Sequence, residues 1–335
     1  MQRRFIAYEN EALRGVMSIR VVDFNHKFDA PIAVSLGFFD CIHKGHEKLV
    51  RSAISYSRIH GTKSALLTFV NDPNLTFGKE KQIYTFDDRV KVLDKCGLDV
   101  VVGAHFDQSF ADMSPLEFLH ALTSNFNVKA IFVGADYTFG RFAKGNVETL
   151  RSFCVENGIY LEVVPFETAN GEKISTSTLK NYVKNGQVDA LNEFLAIPYF
   201  ISGQVVHARH KGTGMGFPTT NILPDAARLP LCNGIYATFC EIDGKIYKSM
   251  TNVGTKPTFS DDSVSVETYI IDFQGDVYGK EITVYFIKKM RDIKKFVSQN
   301  DLRAQLDIDE KNSIAILNGY DIKPLCNVLT EPTQI

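Results

Sequence analysis

The sequence has no apolar run near the roughly 18 residues that a membrane-spanning helix requires, so nothing in it reads as a membrane protein. Nor does it carry an excess of either charge. Its 37 Lys and Arg face 39 Asp and Glu, and the balance is even along the chain: residues 200–335 hold 15 basic and 16 acidic side chains, and those before them 22 and 23. A protein that grips nucleic acid by neutralising phosphates shows a basic domain or face, and neither part has one. Cys41, Cys96, Cys154, Cys232, Cys240 and Cys326 form no C-x-x-C pair and no Cys/His cluster at zinc spacing. That argues against a zinc site and for a reduced, cytoplasmic chain. The N-terminus has an Arg pair but no apolar core of a secretory signal. Residues 1–16 read as an extension or a misplaced start, because Met17 opens a fresh strand-like run, MSIRVVDFN. Internal repeats and low-complexity tracts are also missing.

What is present is an ordinary globular composition, 44% hydrophobic and 23% charged over 335 residues. That length suits about two domains, each large enough to bury a core. In the first half, apolar runs at Ile32–Leu36, Ser64–Phe69, Asp99–Gly103, Ala130–Gly134 and Tyr160–Val164 alternate with segments of helical period. Leu49, Val50, Ala53 and Ile54 share one helix face, and Gly61 is placed to stop that helix. Pro115 after Ser114 opens another helix, over Leu116–Leu122. Buried strands alternating with helices predict a parallel sheet covered on both faces. Ligands bind such sheets at the carboxyl ends of strands, which singles out the turns after Leu36 and Gly134.

The pattern changes after Phe166. Ser175-Thr176-Ser177 caps a helix through Asn185, and a short helix runs from Val188 to Leu195 before Pro198. Strand-like runs then follow at Phe200–Val206, Gly234–Ile242, Lys245–Val253, Ser265–Ile271 and Glu281–Ile287. Their spacing and turn residues predict an antiparallel barrel or sandwich. A helix over Asp301–Leu317 closes the pattern, and the tail from Gly319 is irregular.

Two strings carry chemistry. Residues 37–46, GFFDCIHKGH, follow a strand and open a helix. His43 and His46 fall on one side of the first turn, where unpaired N–H groups and partial positive charge seat a polyphosphate. Imidazoles there can donate to oxygens that gain charge during phosphoryl or nucleotidyl transfer, and Gly45 admits a close backbone approach. A His-x-x-His pair alone also fits a helix cap, a core filler or half of a metal site. The second string, residues 212–221, GTGMGFPTTN, joins a glycine-rich loop to two oxygen donors. Gly212, Gly214 and Gly216 can close backbone N–H groups over phosphates, and Thr219 and Asn221 are hard ligands of the kind Mg²⁺ accepts. By itself this cluster also fits a plain turn.

At these strings the sequence resembles the bacterial bifunctional riboflavin kinase/FAD synthetases. Their first module carries G-F-F-D-x-x-H-x-G-H, and the likeness continues through FDQSFADMSP (106–115) and VGADYTFGRFAKG (133–145). Their second module carries G-x-x-L-G-x-P-T-A-N, then N-[IV]-G-x-x-P-T-F, like residues 252–259, then a glutamate-bearing strand like Val266–Phe273. The resemblance implies a Rossmann-like nucleotidylyltransferase module over 17–185, with a parallel sheet. It implies an antiparallel β-barrel riboflavin kinase module with a terminal helix over 198–318. The first would make FAD and pyrophosphate from FMN and ATP, with His43 and His46 on the ATP phosphates, Gly37, Phe38 and Asp40 shaping the pocket, and Asp136, Ser177 and Lys180 nearby. The second would make FMN from riboflavin and ATP, with Glu267 as base, Mg²⁺ on Thr219 and Asn221, and Asn252 and Arg291 toward the flavin. Riboflavin, FMN and ATP are then the partners of a monomer or weak homo-oligomer.

The pattern is broken at several points. The family's T-F-[DE]-P-x-P reads Thr68-Phe69-Val70-Asn71-Asp72-Pro73, and its S-S-T-x-I-R ends in Lys180, which keeps the charge but loses the bidentate fork. Arg141 and Lys144 flank Phe142-Ala143 where the family's basic residues stand differently. Ala208 and Thr213 replace a usual Gly and Arg, and Ile293 stands at a usual acid. These changes fall more heavily on the adenylyl-transfer half. Two narrower readings stay open beside the bifunctional one: a riboflavin kinase with a weak or inactive first site, and a non-catalytic flavin- or nucleotide-binding regulator.

Overall fold

The computed structural model describes residues 18–73, 81–165, 168–169, 172–173, 175–206, 217–255 and 264–321. By internal contacts the chain divides into two units, with the break at Ser175.

The first unit is built on a six-stranded parallel sheet in the order β1-β4-β3-β2-β5-β6. These strands are β1 (Arg20–Asp23), β2 (Phe28–Leu36), β3 (Lys63–Phe69), β4 (Val100–Ala104), β5 (Phe126–Gly134) and β6 (Tyr160–Val164). Strand order reverses beside β2, which pairs with β3 on one side and β5 on the other. The carboxyl ends of β2 and β5, Leu36 and Gly134, therefore border one crevice, as the sequence predicted. One sheet face buries Ile32, Val34, Leu67, Val102, Ile131 and Val133 beneath Phe118, Leu119, Leu122 and Phe153.

Helix α1 (Lys44–His60) buries Leu49, Val50, Ala53 and Ile54 and ends at Gly61, whose φ of 66° a glycine adopts without strain. Helix α2 (Phe86–Lys95) was not read from sequence. It is started by a capping box in which Thr85 and Asp88 satisfy each other's backbone N–H groups. Beyond it lie α3 (Gln108–Asp112), α4 (Pro115–Asn125, capped by Ser114) and α5 (Val147–Asn157). A short hairpin, β7 (Thr168–Ala169) and β8 (Glu172–Lys173), follows.

The second unit opens with α6 (Thr176–Asn185) and α7 (Val188–Asn192). By internal contacts α6 falls in the second unit, where the Val183 carbonyl accepts a hydrogen bond from the Cys232 N–H at 3.2 Å. Asn192 likewise donates to the Phe286 carbonyl at 2.8 Å and accepts from the Tyr199 N–H at 2.8 Å.

Six antiparallel strands then close a barrel in the order β10-β13-β12-β11-β14-β9. They are β9 (Phe200–Val206), β10 (Thr219–Ile222), β11 (Gly234–Ile242), β12 (Lys245–Thr255), β13 (Val264–Ile270) and β14 (Glu281–Arg291). Pairing of β9 with β10 completes the ring, which removes the open sheet edges. The sequence's choice between barrel and sandwich resolves to the barrel. Inside runs a chain of buried hydroxyls: Thr238 bonds Ser249 and Thr251 at 2.8 Å each, and Thr251 bonds Thr268 at 3.0 Å. Each hydroxyl is thereby satisfied away from water.

Helix α8 (Gln299–Asn318) is pinned to the barrel by polar clamps. Ser313 donates to the Ser249 carbonyl at 2.9 Å. Arg291 meets Asp309 through Nε and Nη2, the shorter bond being 2.6 Å. Asp309 is 2% exposed. Asp309→Ala leaves the mostly buried guanidinium without its carboxylate, and breaking such a pair by one partner costs about 3 kcal/mol. Urea unfolding of the intact chain, followed by far-ultraviolet circular dichroism, is expected to show an earlier transition; an unmoved midpoint would show the clamp to be idle.

Candidate functional site

The turn after β2 is held in an unusual shape. Phe39 has φ of 52°, a left-handed conformation that a bulky side chain rarely adopts. Its ring lies where a Cβ at Gly37 would approach to 2.9 Å, so any larger residue at 37 would have to displace the Phe39 ring. The Phe39 ring stands edge-on to His46 with centroids 4.7 Å apart, and His46 stacks on His43 at 3.6 Å. The two histidines are thus together, as predicted, at the start of α1.

Their hydrogen bonds fix their tautomers. His43 Nδ1 accepts the His46 N–H at 3.2 Å, so a neutral His43 carries its proton on Nε2 and can donate outward. His46 Nδ1 faces the Cys41 carbonyl at 2.5 Å, an acceptor only, so its proton sits on Nδ1 and Nε2 is a lone pair until protonated. Burial pushes His43 down to about 4, opposed by a backbone hydrogen bond and by the Asp136 carboxylate. Burial, then the neighbouring His43, holds His46 well below the usual imidazole range. Asp136 is exposed at the carboxyl end of β5 and acts on His43 electrostatically, so the two strand ends do meet at one place. Gly45 lies in the first turn of α1.

Asp40 is buried and accepts the Ile83 N–H at 2.7 Å. Beneath the turn lies a residue the sequence did not single out. Arg89, on α2, is 0% exposed. It donates through Nη1 to the Phe38 carbonyl and Thr68 Oγ1, both at 2.8 Å, and through Nη2 to the Phe69 carbonyl at 2.7 Å. Thr68 Oγ1 also donates to the Phe38 carbonyl, at 2.5 Å. Burial lowers the guanidinium to about 10, while Asp40 and Asp72 pull it back up. In sequence Arg89 follows Asp87 and Asp88 and reads as part of a solvated charge run. The T-x-x-D spacing at Thr85 is the signal that a helix begins there.

The departures at Val70-Asn71-Asp72 have a structural account. Asn71 donates to the Phe106 carbonyl and accepts the Phe106 N–H, both at 2.7 Å, which ties the β3 turn to the turn after β4. Asp72 is buried. Ser177 is exposed and Lys180 buried, both on α6 in the second unit.

In the barrel, register does the assembling. Glu267 on β13 is paired directly with Asn221 on β10 and with Asn252 on β12. Opposed residues of antiparallel strands share a face, so the three side chains form one row. Thr219, two residues before Asn221, lies on that same face. Asn221 is 4% exposed, and Asn252 Oδ1 is buried with no hydrogen-bond partner among the described residues. Gly212, Gly214 and Gly216 lie outside the described residues. Phe217, just after them, is buried edge-on to Tyr269 at 5.0 Å, anchoring that end of the string to β13. Arg291, expected toward the flavin, spends its fork on Asp309 and gives Nη1 to the Asp292 carbonyl at 2.9 Å.

The lowered histidines give a pH signature. Between pH 6.5 and about 4 an unfolded His43 binds a proton that the folded one refuses, so stability falls as pH drops through that window. The loss is on the order of 3 kcal/mol from His43, with His46 acting in the same direction. His43→Asn keeps an N-cap acceptor and removes the titration. Urea midpoints across pH 4 to 7 are expected to depend less on pH in that variant; parallel curves would refute the assignment.

Comparison with known proteins follows the same division. Residues 19–178 match the family model for FAD synthetase and residues 195–317 that for riboflavin kinase. The bifunctional riboflavin kinase/FMN adenylyltransferase of Bacillus subtilis is 30% identical over 292 residues, 85% of this chain and 92% of that protein. Its Escherichia coli K12 counterpart is 28% identical over 284 residues, 83% of this chain and 90% of that protein. A crystal structure of a macrolide-efflux protein from Streptococcus pneumoniae matches with a TM-score of 0.78 and 27% identity, over 90% of this chain and 99% of that one. The two matched modules, in this order on one chain, show that it belongs to the bifunctional riboflavin kinase/FMN adenylyltransferase family.

Proposed function

We propose that the barrel unit makes FMN through Glu267 and that the parallel-sheet unit makes FAD at the His43/His46 turn, in a cytoplasmic chain that is a monomer or weak homo-oligomer and binds no nucleic acid. The observation that carries the kinase assignment is the row Asn221–Glu267–Asn252, set by strand register. Glu267 takes the proton of the riboflavin 5′-hydroxyl as its oxygen bonds the γ-phosphorus of ATP and the bond to ADP breaks. Asn252 Oδ1, buried and unmatched among the described residues, offers an acceptor beside that carboxylate.

Thr219 and Asn221 fit Mg²⁺ as a pair of hard oxygen donors on one face of β10. No group of three or more His, Cys, Asp or Glu gathers as a metal cage among the described residues. Such a donor set suits an ion held mainly by substrate phosphates and water. When bound, that ion supplies charge neutralisation at the phosphates. Thr219 and Asn221 orient it, and Glu267 stays available for the proton.

In the first unit an FMN phosphate oxygen bonds the α-phosphorus of ATP and pyrophosphate leaves. His43 donates from Nε2 to a phosphate oxygen while neutral. His46 Nε2 becomes a donor only when the triphosphate's charge favours its protonation. No helix among the described residues is long and apolar enough to cross a membrane.

Incubation with riboflavin, ATP and MgCl₂, with flavins separated by chromatography, is expected to give FMN and then FAD. FMN alone would overturn the adenylyl-transfer half; unchanged riboflavin would overturn the kinase half, and FMN supplied in its place then decides adenylyl transfer. Glu267→Gln is expected to slow FMN formation at least ~100-fold while leaving conversion of supplied FMN to FAD intact. Phosphorylation of riboflavin at the wild-type rate would remove Glu267 from the role of base.

A further inference from the structure

Burying a guanidinium fully is costly unless its donors are met, and those of Arg89 are met by a particular set of groups. They are the Phe38 carbonyl, the Thr68 hydroxyl and the Phe69 carbonyl, with the Thr85 carbonyl at the start of its own helix taking Nε at 3.4 Å. Phe38 belongs to the turn after β2, and Thr68 and Phe69 to the end of β3 and the turn that follows. Arg89 comes from α2, so one side chain ties three separate segments at the carboxyl edge of the sheet. Its charge is faced by the buried carboxylates of Asp40 and Asp72, one from each turn.

The grip on Phe38 has a geometric consequence. The Phe38 carbonyl receives two donors, Arg89 Nη1 and Thr68 Oγ1, which fix the direction of the Phe38–Phe39 peptide. In a trans peptide the N–H points opposite to the C=O, and the chain has no cis bond among its described residues. The Phe39 N–H therefore points away from the buried guanidinium, and it has no acceptor among the described residues. The same peptide orientation accompanies the left-handed backbone of Phe39, which brings its ring against His46. Left-handed residues in turns present N–H groups as anion-binding concavities.

We propose that Arg89 is a positioning residue for adenylyl transfer, which holds the Phe38–Phe39 peptide so that the Phe39 N–H faces the ATP triphosphate and the Phe39 ring steadies His46. The proposal rests on the reading that the turn at residues 37–46 is the ATP site. Arg89 touches no substrate itself. A purely structural Arg89 would change how much of the unit is folded; a positioning Arg89 changes how tightly the folded unit holds ATP.

The test uses the full chain carrying Arg89→Lys or Arg89→Met. FMN adenylylation is measured over a range of ATP concentrations, and riboflavin phosphorylation by the same preparation serves as the internal standard. Arg89→Lys keeps a charge but not the fork, and is expected to raise KM for ATP about tenfold with kcat within about threefold. Arg89→Met is expected to lower kcat/KM about 100-fold, with riboflavin phosphorylation unchanged in both variants. Wild-type KM in either folded variant, or a fall in kcat at constant KM, overturns the proposal. If Arg89→Met does not fold, the KM of Arg89→Lys decides alone. A wild-type chain that makes no FAD overturns the ATP-site reading and the proposal with it, an outcome visible before any variant is measured.

Discussion

Strand direction is the constraint on which the first site depends. The parallel sheet reverses its order beside β2, so the ends of β2 and β5 open on one crevice while their helices leave on either side. The histidine turn occupies the first of these ends and Asp136 the second. Neither segment carries chemistry alone. His43 and His46 acquire defined tautomers because α1 starts where β2 stops, with one backbone N–H and one carbonyl to fix them. Burial then keeps both rings neutral, which makes each a directional hydrogen-bonding group and leaves the positive field to the helix terminus.

The barrel solves the same problem with register instead of a helix terminus. Closure removes slack between strands, and a slip of one residue would turn Glu267 to the opposite face. The buried hydroxyl chain of Thr238, Ser249, Thr251 and Thr268 works against such a slip, since each hydroxyl is satisfied only in the observed pairing. Helix α8 then locks the outside through Arg291–Asp309 and Ser313. The row Asn221–Glu267–Asn252 is thus held in register by groups at neighbouring positions of the same strands.

Much of this was legible in the sequence, and what was missed follows a pattern. The buried strands showed themselves as short apolar runs, and β2, β3, β5 and β6 lie where those runs fall. Helix α1 was visible in its apolar face and its terminal glycine. Helix α2 was missed because its first turn is acidic and its apolar face short; only the capping box marks it. Strand β10 was missed because Thr219-Thr220-Asn221 looks like a turn, and it becomes a strand through pairing with β13. The placement of α6 depends on tertiary contacts with Cys232 that no local pattern encodes. Arg89 was hidden most completely, since a charged residue after two acids looks solvated until the fold surrounds it.

The same contrast explains how the chain tolerates its departures from the family pattern. Val70 stands at the usual acid and Asn71 at the usual proline, and the Asn71 amide exchanges two hydrogen bonds with the Phe106 backbone, a job a proline cannot do because its side chain has neither donor nor acceptor. Ile293 stands at another usual acid, and its Cδ1 lies 3.4 Å from where a Cβ on Gly254 would sit, so it fills space close against that glycine. In both cases the substituted side chain is absorbed by backbone bonding or packing that is particular to this chain. The unchanged residues are of another kind: His43, His46, Asn221 and Glu267 each occupy a position where backbone geometry leaves one outcome for the side chain. The direction of His43 is set by the helix start that it caps, and that of Glu267 by strand pairing with Asn221 and Asn252, so both rest on the main chain and not on side-chain packing.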